Sequence, residues 1–177
     1  FETDLVLIIS AMYVHPDVLV LLRRAGLRTG ILLTESPYQD DAQLRLMPLV
    51  DLAWTNERTS VELLRMANPH VTYLPLAVDP ERHHPAPPAP DVPQHDVVFV
   101  GTGFIERVNL LHAVNWDGID LGLYGNWPLM GSRNRLRRFL HQGPIPNTEA
   151  AALYRAARIR LNLYRTSGGF GRNPQHV

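Results

Sequence analysis

Apolar residues along this chain fall into short runs separated by stretches with helical spacing, and that alternation sets the predicted fold class. Leu5-Val6-Leu7-Ile8-Ile9 is a continuous apolar run of strand length. Asp17 to Ala25 has helical spacing, and Gly26 after it suits a C-terminal cap. Gly30 to Leu33 predicts a second strand, a short helical stretch surrounds Ala42 to Met47, and Leu52-Ala53-Trp54-Thr55 predicts a third strand. Thr59 or Ser60 can cap a helix whose apolar face is Val61, Leu64 and Ala67, and Val71 to Leu74 gives the fourth strand. Strands separated by helices make a βαβ series, which demands a parallel sheet covered by its crossover helices.

Six prolines between 80 and 93 break the pattern, because each removes a backbone donor and holds the chain extended. Beyond them the alternation restarts. Strand 96–100, helix 105–114, strand 121–124, helix 134–140, helix 148–157 and strand 158–164 are expected in that order. The fold class is therefore α/β, with two Rossmann-like parallel-sheet domains at 1–79 and 96–177 joined by a Pro-rich linker at 80–95. Each predicts fewer than the roughly five or six strands of a complete doubly wound domain. The opening residues also lack an initiator Met or a leader pattern, so the chain reads as a fragment with both domains incomplete.

Composition narrows the chemistry. With 177 residues, no Cys, 17 basic and 17 acidic side chains, there is no disulfide framework, thiol nucleophile or zinc-thiolate site, and no basic tail for nucleic acid. No apolar run reaches a membrane-spanning length, and a cytoplasmic protein is expected. All the basic residues are Arg, which excludes a lysine Schiff base and a Walker-type phosphate lysine. Codon usage in a GC-rich genome accounts for that bias, and so does a need for bidentate phosphate donors. Residues 1–90 hold 7 Arg against 11 acids and residues 91–177 hold 10 Arg against 6, so neutrality averages a −4 half and a +4 half. An anionic ligand would favour the second half.

The sharpest local feature is Val98-Phe99-Val100-Gly101-Thr102-Gly103-Phe104, a strand that ends in Gly-x-Gly and opens a helix. Glycines permit close backbone approach, and a helix N-terminus offers N–H groups to a phosphate. The third glycine of the dinucleotide fingerprint falls on Glu106, and strand 121–124 ends in Gly125-Asn126 rather than an acid, which disfavours nicotinamide binding. A tight turn with no ligand is the plain alternative. Gly143-Pro144-Ile145-Pro146-Asn147-Thr148-Glu149 leads into the last helix, with Asn147 or Thr148 as its cap. The last strand enters the Gly-rich stretch Tyr164 to Arg172, whose Arg165 and Arg172 could meet a diphosphate or belong to a plain loop. In the first half, Glu35 follows a strand directly and either serves a ligand or caps the next helix, and Tyr38 lies beside it. His15 is either a proton-transfer group or a cap. His83-His84 lacks carboxylates at ligand spacing, so no metal site is expected, and the Arg-rich helix from Asn134 is read as a solvated face.

The order of these features resembles bacterial GT-B glycosyltransferases, in particular the CgeB-like (spore maturation protein B-like) group of the retaining family 4 type. It rests on Leu74-Pro75-Leu76-Ala77-Val78-Asp79-Pro80, the linker, Asp96 to Gly103, then Gly143-Pro144-Ile145-Pro146 and an Asn-Thr-Glu-led helix before Arg160-Leu161-Asn162-Leu163. The resemblance implies an enzyme that moves a sugar from a nucleoside-diphosphate sugar to an acceptor, retaining and metal-independent, with no further cofactor. It implies donor-side roles for Gly101, Gly103, Phe104, Tyr124, Gly125, Asn126, Pro144, Ile145, Tyr164, Arg165 and Arg172, and acceptor-side roles for Glu35 and Tyr38. His15 and Glu35 are the candidates for a catalytic base. The family's Asn-Pro-Arg-x-Phe/Tyr-Glu segment is absent, since Asn173-Pro174 is followed by Gln175. A two-lobed regulatory binding module and a nucleotide-sugar epimerase share the architecture, and no oligomeric state follows from the sequence.

Overall fold

The structure, a computed structural model, describes residues 3–10, 12–141 and 143–164. It is α/β with two parallel sheets in two compact units that divide after Ala77. The first sheet contains β1 (Leu5–Ile9), β2 (Arg28–Leu33), β3 (Leu52–Thr55) and β4 (Val71–Tyr73) in that spatial order. All its pairings are parallel, with Ile8 opposite Ile31, Ala53 opposite both Ile31 and Val71, and Thr55 opposite Leu33.

Crossovers follow each strand. α1 (Pro16–Arg24) starts on Pro16, whose missing N–H costs nothing there, and ends on Gly26 with φ +76°. The Gly26 N–H bonds the Arg23 carbonyl and the Leu27 N–H the Leu22 carbonyl, the two reverse bonds that a left-handed C-cap provides. α2 (Asp40–Leu44) and a 3-10 turn at Met47–Leu49 join β2 to β3, and α3 (Ser60–Arg65) joins β3 to β4. Strands that advance always in one direction through right-handed crossovers keep their helices on one face. The core agrees: Leu19, Leu46, Met47 and Leu64 pack on Ile31, Leu33, Ala53 and Val71. The alternate residues of β1, Leu5, Leu7 and Ile9, are exposed on the opposite face.

The second unit begins at Val78 and includes the Pro-rich stretch. Its sheet holds β5 (Val97–Val100), β6 (Leu121–Tyr124) and β7 (Ile159–Arg160) in the order β6-β5-β7, all parallel. A parallel bridge from Leu123 to Leu140 extends it beyond β6. In chain order, the sequence therefore steps from β5 to β6 to Leu140, then jumps back to the other side of β5. α4 (Ile105–Ala113) and a 3-10 helix at Arg135–Phe139 cover one face, where Val108, Leu111 and Leu136 meet Val97, Phe99, Leu121 and Leu123. α5 (Asn147–Ala156) covers the other, where Leu153 meets Val98 and Tyr124.

Several elements differ from their sequence expectation. The segment expected as helix 134–140 is a 3-10 helix, because Asn134 caps it at one end and Leu140 is drawn into the bridge at the other. The last helix starts one residue early on Pro146, so neither Asn147 nor Thr148 is its cap. Thr59 precedes α3 without a capping side-chain bond, since Glu57 takes its hydroxyl and N–H. Strand 158–164 shortens to two paired residues plus one bond from the Leu161 N–H to the Val98 carbonyl.

Candidate functional site

The return of the chain across β5 makes the β5/β7 boundary a topological switch point. Gly101-Thr102-Gly103 leaves β5 there and is fastened to the loop after β6. The Gly101 N–H donates to the Tyr124 carbonyl at 3.0 Å and the Gly103 N–H to the Asn126 carbonyl at 2.7 Å. The Gly125 N–H reaches the Gly143 carbonyl at 3.3 Å, which draws the Gly143-Pro144-Ile145 segment to the same edge. The structure thus brings together Gly101, Gly103, Tyr124, Gly125, Asn126, Pro144 and Ile145.

Two glycines are required by this lacing. Gly125 has φ +106°, and a Cβ there would enter the Gly101 backbone. A Cβ on Gly103 would fall inside the buried Trp127 ring, whose Nε1–H donates to the Tyr124 carbonyl at 3.2 Å. Phe104 stands at the N-cap of α4 in extended conformation and makes no side-chain cap bond.

Arg107 in that first turn was not singled out by the sequence. Its Nη1 donates to the Thr102 carbonyl at 2.8 Å, and its guanidinium lies 5.0 Å from the Phe104 ring centre and 5.3 Å from that of Phe99. A half-buried cation is thereby held against the glycine loop. The only sequence signal for it is an Arg three positions after Phe104 in a helix's first turn.

Tyr124 has a second role. Its backbone laces the loop, but its ring is buried, and its hydroxyl lies 2.8 Å from Nε2 of His95. Nδ1 of His95 lies 2.9 Å from the Asp120 carboxylate, and the His141 ring stacks on Tyr124 at 4.3 Å with planes 7° apart. A carboxylate only accepts, so in the neutral ring Nδ1 carries the proton and Nε2 accepts from the phenol. Burial, then the charges of Glu149 and Asp120, push the Tyr124 phenol up from its usual value. Burial, then His95, lowers His141, against a smaller opposite pull from Asp120. The network directs the phenol back toward the start of β5 and locks the strand that carries Gly125.

Tyr164 follows β7, and its hydroxyl accepts from Asn162 Nδ2 at 2.9 Å. Arg165 and Arg172 lie outside the described residues. In the first unit, His15, Glu35 and Tyr38 all follow strands at the carboxyl edge of the β1–β4 sheet. His15 is the N-cap of α1, its Nδ1 accepting the Asp17 N–H at 3.3 Å. The N-cap of α2 is Gln39, so Glu35 does not cap that helix; its carbonyl accepts the Gln39 N–H at 3.1 Å. The same edge holds Glu57, which the sequence reading passed over although it follows β3 as directly as Glu35 follows β2. It is 1% exposed, and its carboxylate accepts from the Thr59 N–H at 2.9 Å and hydroxyl at 2.8 Å.

Among the described residues, no group of His, Asp and Glu has the geometry to hold a metal ion, and no helix is long and apolar enough to cross a membrane. No protein-family model matches the chain, and no curated protein matches it.

Proposed function

We propose that this chain is part of a glycosyltransferase that takes a sugar from a nucleoside-diphosphate donor, with the diphosphate bound at the β5/β7 edge. The supporting observation is the Gly101–Gly103 loop. It lies at a switch point, opens α4 and is flanked by Arg107. The positive end of a helix favours an oxyanion, and a nearby guanidinium adds a charge-assisted donor.

Breaking the bond between sugar and diphosphate leaves negative charge on the departing phosphate. Donors already fixed in place stabilise that charge without reorganising. Arg107, pinned by the Thr102 carbonyl and two aromatic rings, is such a donor. On the first unit, the carboxylate of Glu35 and the imidazole of His15 are the candidates for proton transfer in this reading, with Tyr38 after the same strand as Glu35.

UDP or GDP added to the protein is expected to raise its melting temperature, because a ligand bound only by the folded state stabilises it. Arg107→Gln should weaken that binding about tenfold, the effect of losing ~1.4 kcal/mol from one charge-assisted contact. No shift with either nucleotide would sink the reading. Nucleotide released without a glycosylated product, across plausible acceptors, would point to an epimerase or to hydrolysis.

A further inference from the structure

The Pro-rich stretch forms one wall of a cavity on α5, whose lining shares no residue with the glycine loops. Asp79 and Arg82 pair at 3.3 Å, the His83 N–H donates to the Asp79 carbonyl at 2.9 Å, and Arg155 of α5 donates to the Arg82 carbonyl at 3.2 Å. These bonds set His83, His84 and Pro85 across from Tyr154, Arg155 and Arg160, around a cavity of about 310 Å³. No carboxylate is among the described residues that line it.

The donors left for a ligand follow from the bonds already made. Arg160 uses Nε on the Tyr154 carbonyl, and a guanidinium carries five N–H donors, so its terminal amino groups remain. His84 Nδ1 lies 3.2 Å from the Pro80 carbonyl, which can only accept, so in the neutral ring Nδ1 carries the proton and Nε2 is an acceptor, which the O–H of a monoprotonated phosphate can meet. The Tyr154 hydroxyl is turned away to the Val100 carbonyl at 3.4 Å, and burial pushes its pKa up, so its ring serves as wall. The lining combines two guanidiniums and two imidazoles with an aromatic face and a proline ring. Small-ligand sites are commonly built this way, with an apolar body and few polar anchors, and the volume suits one ring with a charged group.

We propose that this cavity binds an aryl phosphate: a phosphate monoester whose ester group is a single aromatic or heteroaromatic ring. Its phosphate meets Arg160 and Arg155, with the imidazole edges beside it, and its ring lies between Tyr154 and Pro85. This assignment stands apart from the glycosyltransferase reading.

The test is a titration of the protein with phenyl phosphate, followed by the imidazole NMR signals and by calorimetry. The His83 and His84 signals should shift while those of His95 and His141 stay. Inorganic phosphate should bind at least about tenfold more weakly for lack of the ring, and Arg160→Gln should weaken phenyl phosphate about tenfold. Arg155→Gln releases the Arg82 carbonyl and Arg160→Gln the Tyr154 carbonyl; Arg160→Gln, which keeps the Pro-rich wall tied to α5, is the deciding variant, and its unliganded melting curve checks the fold. Unmoved His83 and His84 signals at about 10 mM probe would overturn the assignment. So would binding indifferent to Arg160→Gln, or displacement of the probe by saturating UDP, which would place it at the glycine loops instead.

Discussion

The two sheets of this chain are built from the same strand–helix alternation and end up with different surfaces. In β1 to β4, spatial order follows chain order, so every crossover lands on one face and Leu5, Leu7 and Ile9 stay 43%, 53% and 66% exposed on the other. In the second sheet the chain doubles back across β5, which puts α4 on one face and α5 on the other. That single reversal both buries the second face and sets the loop after β5 at a switch point. Coverage and switch point therefore have a common topological origin, and only the second unit has a described switch point.

The largest effect that can break this contrast is on packing. Leu64 lies under the β1–β4 sheet with no exposure, and Leu153 lies under the α5 face of the other with 1%. Leu64→Ala and Leu153→Ala should each cost about 2–5 kcal/mol, whereas Leu7→Ala, on the open face, should change stability by no more than about 0.5 kcal/mol. Denaturant unfolding of the three variants measures this. A Leu7→Ala cost comparable to Leu64→Ala would mean that the open face is covered in solution and the two sheets are alike.

A smaller effect separates two glycines. Gly103→Ala forces a Cβ into the Trp127 ring, which is itself packed against Phe99 at 5.6 Å between centroids, so the core must shift at about 1–3 kcal/mol. At Gly26 nothing lies within 4 Å of an added Cβ, and Ala pays only for its left-handed backbone, about 1 kcal/mol. Tryptophan fluorescence should report the first change and not the second. If Gly103→Ala leaves the emission and nucleotide binding as they were, the laced loop is not rigid enough to serve as a phosphate cradle.

How much of this was legible in the sequence depends on how far apart the causes lie. β1 and β3 have the bounds their apolar runs predict, and α1 stops at Gly26, because an apolar run and a left-handed cap are local facts. The glycines at 101, 103 and 125 were legible as a group because each follows a strand of one sheet. The 3-10 helix was not, since its shape is decided by the Leu140 bridge and by Arg135, which donates to the Val114 carbonyl at 2.9 Å. Arg107 escaped because its direction is set by two rings and a carbonyl. The Asp120–His95–Tyr124 network escaped because its bonds join residues 25 and 29 positions apart. Periodicity also shows that strands alternate with helices, but not which way the next strand steps, and that step produced the switch point.

The smallest effects, in acid, sharpen the contrast by giving each unit its own pH window. His141 has its pKa lowered from 6.5, first by burial and then by His95, so the unfolded chain binds a proton more readily than the folded one. Unfolding then takes up a proton, and the stability this group contributes falls as pH drops below 6.5. Asp51, in the first unit, has its pKa lowered from 3.8, chiefly by the Thr29 N–H at 2.7 Å, with burial opposing and Arg23 and Arg28 assisting. Its contribution is present above 3.8 and is lost as pH falls through the lower folded value. In melting temperatures followed against pH, His141→Gln should flatten the slope just below 6.5 and leave the region below 3.8 alone, while Asp51→Asn should do the reverse. A His141→Gln slope below 6.5 that matches the parent protein would mean that burial beside His95 does not hold the proton off this ring in the folded state, and the second unit would lose its window.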